Sequence, residues 1–265
     1  MKAEAEHRAD IVEVGRRLWQ RGYVAANDGN ISVRLSENEV LATPTETSKG
    51  FLRPEDLAKV DLEGRLLAGE RQPSSEIQLH LAVYQERADV CGVVHAHPPT
   101  ATGFAAAGVA LEDPLVTEIV LTLGGIPLTG YATPSTEEVP AVVRPHLQDH
   151  DAFLLANHGV LALGRDVFAA YYRLETVEHF AQIALVARQL GGGRLLPPER
   201  VRELVEIRER SGVARRRHES CLGCGACLAG WPAGGEGQQG EGDGEEQELR
   251  RTIERIARRM IQSLS

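Results

Sequence analysis

His95-Ala96-His97 sets two imidazoles two residues apart in a Val- and Ala-rich run that reads as extended backbone. Side chains at i and i+2 of a strand project from the same face, so both rings can reach one cation. Neutral imidazole is a common zinc ligand, and a catalytic zinc takes three protein ligands and keeps one position open. Hydrogen bonds at a strand end would satisfy the same pair equally well. A third histidine, His158, follows the apolar stretch Phe153–Ala156 and precedes Gly159. A polar residue there either lines a site or caps the strand on backbone groups. His80 is a further candidate, one helical turn from Glu76; the alternative is a core histidine on the helix's apolar face, or one that supports a site from behind.

Donors for an anion cluster separately. Pro73-Ser74-Ser75-Glu76 reads as a helix start, which brings two hydroxyls to the free N–H groups of a helix N-terminus. The plainer alternative is an N-cap. The turn Asn27-Asp28-Gly29-Asn30 and the segment Thr43-Pro44-Thr45 supply further donors. Far along the chain, Cys221, Cys224 and Cys227 repeat every three residues, and His218 continues the period. A second metal or an Fe–S cluster is one reading of that spacing, and unliganded thiols are the other. A zinc ribbon would need a second CxxC pair and a ferredoxin-type run a further Cys. Cys91, within a strand, reads as a buried small hydrophobe.

These residues need elements to carry them. Ile11, Val14, Leu18 and Trp19 fall at helical spacing and predict an N-terminal amphipathic helix. Strands are expected at Ile31–Leu35, Glu39–Thr43, Val90–His97, Ile126–Thr129 and Ala152–Ala156. Helices are expected from Glu76 through Tyr84, at Thr100–Ala107, Thr136–Leu147 and Asp166–Leu190, and at Pro198–Arg210. Gly191-Gly192-Gly193 stops the longest of them. The mixture predicts an α/β domain of three layers spanning residues 1–210. A Cys-containing segment, 211–232, then leads to a Gly/Glu-rich linker, 233–247, too polar to bury a core. In 248–265, Leu249, Ile253, Ile256, Met260 and Leu264 form an apolar stripe flanked by arginines, a short amphipathic helix at the end of a flexible tail.

Composition excludes several classes. With 29 Lys+Arg against 38 Asp+Glu the chain carries a net charge of −9, which disfavours nonspecific nucleic-acid binding. No apolar run reaches the roughly 20 residues of a membrane span. The opening MKAEAEHRAD lacks the apolar core of a secretory signal, so a cytoplasmic location is expected.

Taken in order, Asn30-Ile31-Ser32-Val33-Arg34, Thr43-Pro44-Thr45, Pro73-Ser74-Ser75-Glu76, His95-Ala96-His97 and Asn157-His158-Gly159 resemble the class II aldolase/adducin family over roughly residues 5–210. The resemblance implies a three-layer αβα sandwich around a mostly antiparallel sheet, assembled as a homotetramer. In its sugar-phosphate aldolases, His95, His97 and His158 would match the zinc-binding histidines. Glu76 would match the carboxylate that binds the empty metal and serves as acid/base. Gly29, Asn30, Thr45, Ser74 and Ser75 would match the positions that hold the substrate phosphate. The implied reaction is zinc-dependent cleavage of fuculose or rhamnulose 1-phosphate to dihydroxyacetone phosphate and lactaldehyde, with the metal as Lewis acid. Pentulose-5-phosphate 4-epimerases, with Asp at the position of Glu76, and other metal-dependent lyases are the alternatives. An adducin-like scaffold is the non-enzymatic one. Three positions depart from the aldolase pattern. Glu118 stands where a tyrosine proton donor is expected, no Tyr follows Tyr172, and Glu46 replaces a Gly often found beside the phosphate.

The 248–265 helix behind its linker also resembles the encapsulation peptides of bacterial microcompartment cargo enzymes. That implies shell or cargo proteins as partners and the microcompartment lumen as a location. A membrane-surface helix, or one that folds back on its own domain, is the alternative.

Overall fold

The computed structural model describes residues 2–211. His218, Cys221, Cys224 and Cys227, the 233–247 linker and the 248–265 helix lie outside the described residues. Two compact units are present, one made by the chain through Leu111 together with Ile126–Gly191, the other by Glu112–Gly125 and the chain from Gly192 onward.

The first unit is built on a sheet of seven strands: β1 (Asn30–Arg34), β2 (Val40–Ala42), β3 (Ala58–Val60), β4 (Leu66–Ala68), β5 (Gly92–Ala96), β6 (Ala152–Leu155) and β7 (Gly159–Gly164). Their order is β4-β3-β2-β1-β5-β7-β6, and every neighbouring pair is antiparallel. Five helices flank it: α1 (Glu4–Gln20), α2 (Ile77–Glu86), α3 (Pro99–Ala106), α5 (Glu138–Val143) and α6 (Val167–Gln189); α4 is Thr117–Thr122 and α7 Pro198–Arg210. Period-two alternation divides the strand residues between two faces. Val93, Phe153, Leu161 and Leu163 bury against Leu81 and Tyr84 of α2 and Val143 of α5. Their buried neighbours Val94, Ala96 and Ala162 face the other side, where α6 packs on β5 and β7 and α1 on β1. This is the expected αβα sandwich. In the second unit, Val120 and Leu121 of α4 pack with Val201, Leu204, Val205 and Ile207 of α7.

The elements depart from expectation where backbone chemistry overrides the apolar pattern. Ile126–Thr129 forms no strand, only isolated bridges of Ile126 to Leu111 and of Leu128 to Leu154. Pro127 lacks the N–H that a ladder needs, although its carbonyl accepts from Leu154. The helix expected over Thr136–Leu147 is α5 followed by a 3-10 turn at Arg144–His146. Pro145 removes the N–H that would have continued the α-helical ladder. Trp19 is 45% exposed and rests edge-on against Phe51, because Leu18 already occupies the buried stripe and the next residue turns about 100° away. Cys91 is only partly buried and precedes β5 rather than lying within a strand.

Candidate active site

β5 carries His95 on the same face as Val93, and His97 stands just beyond its end, before Pro98-Pro99. His158 sits in the tight connection between β6 and β7, where Asn157 takes a left-handed φ of 56°. The three rings converge, with centroids 4.6–5.0 Å apart, and one ring nitrogen from each lies within 4.8 Å of the others. The tautomers of two follow from their partners. His95 Nδ1 is 2.9 Å from the Val160 carbonyl, which only accepts, so Nδ1 carries the proton and Nε2 a lone pair. His97 Nδ1 lies 3.5 Å from Asp28 Oδ2, which favours the same arrangement. The two Nε2 atoms then face each other at 3.1 Å, a repulsive pairing unless they share a cation. Burial, followed by the neighbouring imidazoles, holds His95 well below the usual histidine range; burial also lowers His158, against the opposing influence of Glu76. Only glycine fits after His158. A Cβ on Gly159 would lie 2.6 Å from both the Ala96 carbonyl oxygen and His97 Cδ2.

Glu76 occupies the capping position of α2 without using its side chain as a cap. Its Oε2 is 3.5 Å from His95 Nε2 and its Oε1 is 3.3 Å from His158 Nε2. Behind it runs a buried hydrogen-bond chain with a fixed polarity. Asn30 Nδ2 donates to Glu76 Oε2 at 2.8 Å, which turns the Asn30 carbonyl oxygen toward His80. His80 must therefore donate from Nε2 and accept at Nδ1 from the Ser32 hydroxyl, 2.6 Å away. Ser32 in turn accepts from Tyr84, at 2.8 Å. Four neutral groups thus all donate in the direction of one carboxylate. Burial pushes the His80 pKa down to about 3, so the ring stays neutral and the chain intact. His80 is a positioning residue of the core rather than a ligand.

Gly29, Asn30, Thr45, Ser74 and Ser75, the five residues expected at a phosphate, all line one cavity of about 250 Å³ together with Glu76 and His97. They do not all offer the same groups. The Asn30 amide is committed to Glu76 and His80, and the Ser75 hydroxyl bonds Ser135 Oγ at 3.0 Å. Gly29 has a φ of 71°, and a Cβ there would lie 2.8 Å from the His95 carbonyl. Glu46 lines the same wall with a φ of 53°, a backbone conformation that suits the Gly it replaces. Sequence reasoning missed Lys49, which also lines the cavity, and the supporting roles of Ser32 and Tyr84. The Ser32 and Tyr84 signal was present as alternation on β1 and helical spacing on α2; nothing in a loop sequence marks a buried lysine.

A divalent cation fits this donor set. Three imidazoles converge, and Glu76 Oε1 is buried with no hydrogen-bond partner among the described residues. Residues 9–185 match the family model described as Class II Aldolase and Adducin N-terminal domain. A 3-oxo-tetronate 4-phosphate decarboxylase from Pectobacterium atrosepticum is 31% identical, over 70% of this chain and 87% of the relative. An L-fuculose phosphate aldolase from Methanococcus maripaludis is 32% identical, over 69% of this chain and 98% of the relative. The crystal structure of L-fuculose-1-phosphate aldolase from Thermus thermophilus superposes with a TM-score of 0.64 at 32% identity, covering 74% of this chain and all of the other.

Proposed function

We propose, from the premise that the chain belongs to the class II aldolase and adducin family, that it cleaves a ketose 1-phosphate, fuculose or rhamnulose 1-phosphate, by a zinc-dependent retro-aldol reaction. The products are dihydroxyacetone phosphate and lactaldehyde. The observation that carries this reading is the position of Glu76, a partly buried carboxylate whose Oε1, 3.3 Å from His158 Nε2, has no hydrogen-bond partner among the described residues and faces three converging imidazoles at the edge of a cavity. Zinc held by His95, His97 and His158 would supply a Lewis acid for the substrate carbonyl. Glu76 Oε1 takes or returns the proton at the carbon left by the broken C–C bond. Asn30 keeps that carboxylate in one orientation. Gly29, Asn30, Thr45, Ser74 and Ser75 hold the phosphate, the first two through their backbone, since the Asn30 amide is committed elsewhere.

A decarboxylase reading is favoured by the Pectobacterium relative, whose name describes loss of a carboxylate from a phosphorylated oxo-acid. Both reactions break a C–C bond next to a carbonyl, so product analysis separates them. The full chain is expected to hold about one zinc and to release lactaldehyde from a ketose 1-phosphate in a chelator-sensitive, zinc-restorable way. His95→Ala with His97→Ala is expected to lower kcat/KM by about 10³ or more, the scale of metal Lewis-acid catalysis. Normal turnover in that variant would overturn the reading, and faster release of carbon dioxide from 3-oxo-tetronate 4-phosphate would select the decarboxylase.

The assembly we favour is a homotetramer in the cytoplasm, with 248–265 as an address for a microcompartment shell or its cargo and 1–210 as the catalytic part. No helix among the described residues is long and apolar enough to cross a membrane.

A further inference from the structure

Only three of the 29 Lys and Arg residues are lysines: Lys2, Lys49 and Lys59. Two are paired with carboxylates, Lys2 with Asp10 at 2.7 Å and Lys59 with Glu4 at 2.7 Å. Lys49 differs in every respect. Its side chain is 2% exposed, and Nζ donates to the carbonyls of Asn27, at 2.8 Å, and Thr47, at 2.5 Å. No carboxylate among the described residues lies within ion-pair distance. An ammonium has three N–H donors, so two carbonyls leave one over. Burying such a charge without a counter-charge is costly, and burial lowers its pKa to about 8, against the pull of Asp28 and Glu76.

The place where the charge is kept suggests its use. Lys49 lines the cavity that also holds Thr45, Ser74 and Ser75, and among the described residues no other Lys or Arg lines it. Asp28 and Glu46 lie on the same wall, so hydroxyls and backbone donors alone would leave an incoming phosphate facing carboxylates.

We propose that Lys49 binds the phosphate monoester of the substrate, supplying the positive charge and the third N–H that the hydroxyl pocket lacks. The proposal rests on the phosphorylated-substrate reading above. A purely structural Lys49 would only tie the Asn27 turn to the Thr47 loop.

Three lysines make the test tractable in the intact protein. With 15N-labelled lysine in the zinc-loaded full chain, inorganic phosphate is expected to shift the Lys49 Nζ signal and raise its titration midpoint, leaving Lys2 and Lys59 unmoved. Lys49→Gln is expected to weaken phosphate binding at least tenfold at unchanged zinc content. Its preference for a phosphorylated over an unphosphorylated ketose should shrink by a similar factor. A Lys49 signal indifferent to phosphate that the protein demonstrably binds would overturn the proposal, as would unaltered binding in Lys49→Gln. If that variant does not fold, the spectrum of the unaltered protein decides alone. If the unaltered protein neither binds phosphate nor prefers phosphorylated ketoses, the phosphate pocket itself is wrong and the ligand assigned to Lys49 falls with it.

Discussion

His80 is neutral because its surroundings give it hydrogen bonds and no water, and that has a consequence for stability. An unfolded chain protonates this imidazole below its ordinary value near 6.5, whereas the folded one resists until about 3. The folded state therefore binds fewer protons in that window, and stability is full above 6.5 and lost as pH falls toward 3. One such proton corresponds to about 1.4 kcal/mol per pH unit. In chelator-treated protein, His80→Gln is expected to flatten the loss between pH 6 and pH 4 by roughly that slope, read from urea midpoints. An unchanged slope would mean that the buried imidazole is not what titrates. His95, lowered in the same direction, steepens the acid loss in both proteins. His95 and His97 were legible because they stand two residues apart at a strand end, whereas His158 and Glu76, far from them in sequence, were marked by a strand end and a helix start and joined to them through the family resemblance. Lys49 was not, since whether a loop cation is solvated or buried depends on what the rest of the chain folds over it.

Elements position the site through contacts far apart in sequence. α3 starts at Pro99, two residues after His97, and its preceding residue, Pro98, offers no side-chain cap. The cap comes instead from α6. Glu178, 1% exposed, accepts from Thr100 N at 3.1 Å and Ala101 N at 2.8 Å, answering the free N–H groups and the partial positive charge of a helix N-terminus. Glu178→Ala is expected to cost about 2–3 kcal/mol, the scale of charge-assisted hydrogen bonds, and Glu178→Gln less. Urea unfolding checks the loss. Zinc affinity should fall as well, because the same segment carries His97. Apolar periodicity revealed α1, α2 and α6, since each spans several turns. It left β3 and β4 unassigned, and it could not reveal β7, whose Gly-Val-Leu-Ala-Leu-Gly is apolar on both faces and shows no alternation. It proposed a strand at Ile126–Thr129 for the converse reason: the residues are apolar, but Pro127 cannot join a ladder.

At the scale of the whole molecule, every described residue lining the candidate site lies between Asn27 and His158, within the first unit. A chain ended after Ser211 is accordingly expected to keep one zinc and normal turnover, while residues 245–265 fused to a reporter should gather at microcompartment shells. Loss of zinc on truncation, or a diffuse reporter in cells that make shells, would refute the corresponding half of that division. The net charge of −9 sets a long-range repulsion for an anionic substrate, and such repulsion between exposed charges fades as salt is added. The file of donors from Tyr84 through Ser32, His80 and Asn30 behaves otherwise. It consists of neutral dipoles locked in the interior, where mobile ions do not enter, so the field it places on Glu76 is the same in dilute buffer and in brine. Ionic strength can change how often substrate arrives at this protein, while the share of the field on Glu76 that comes from this buried chain stays as it is.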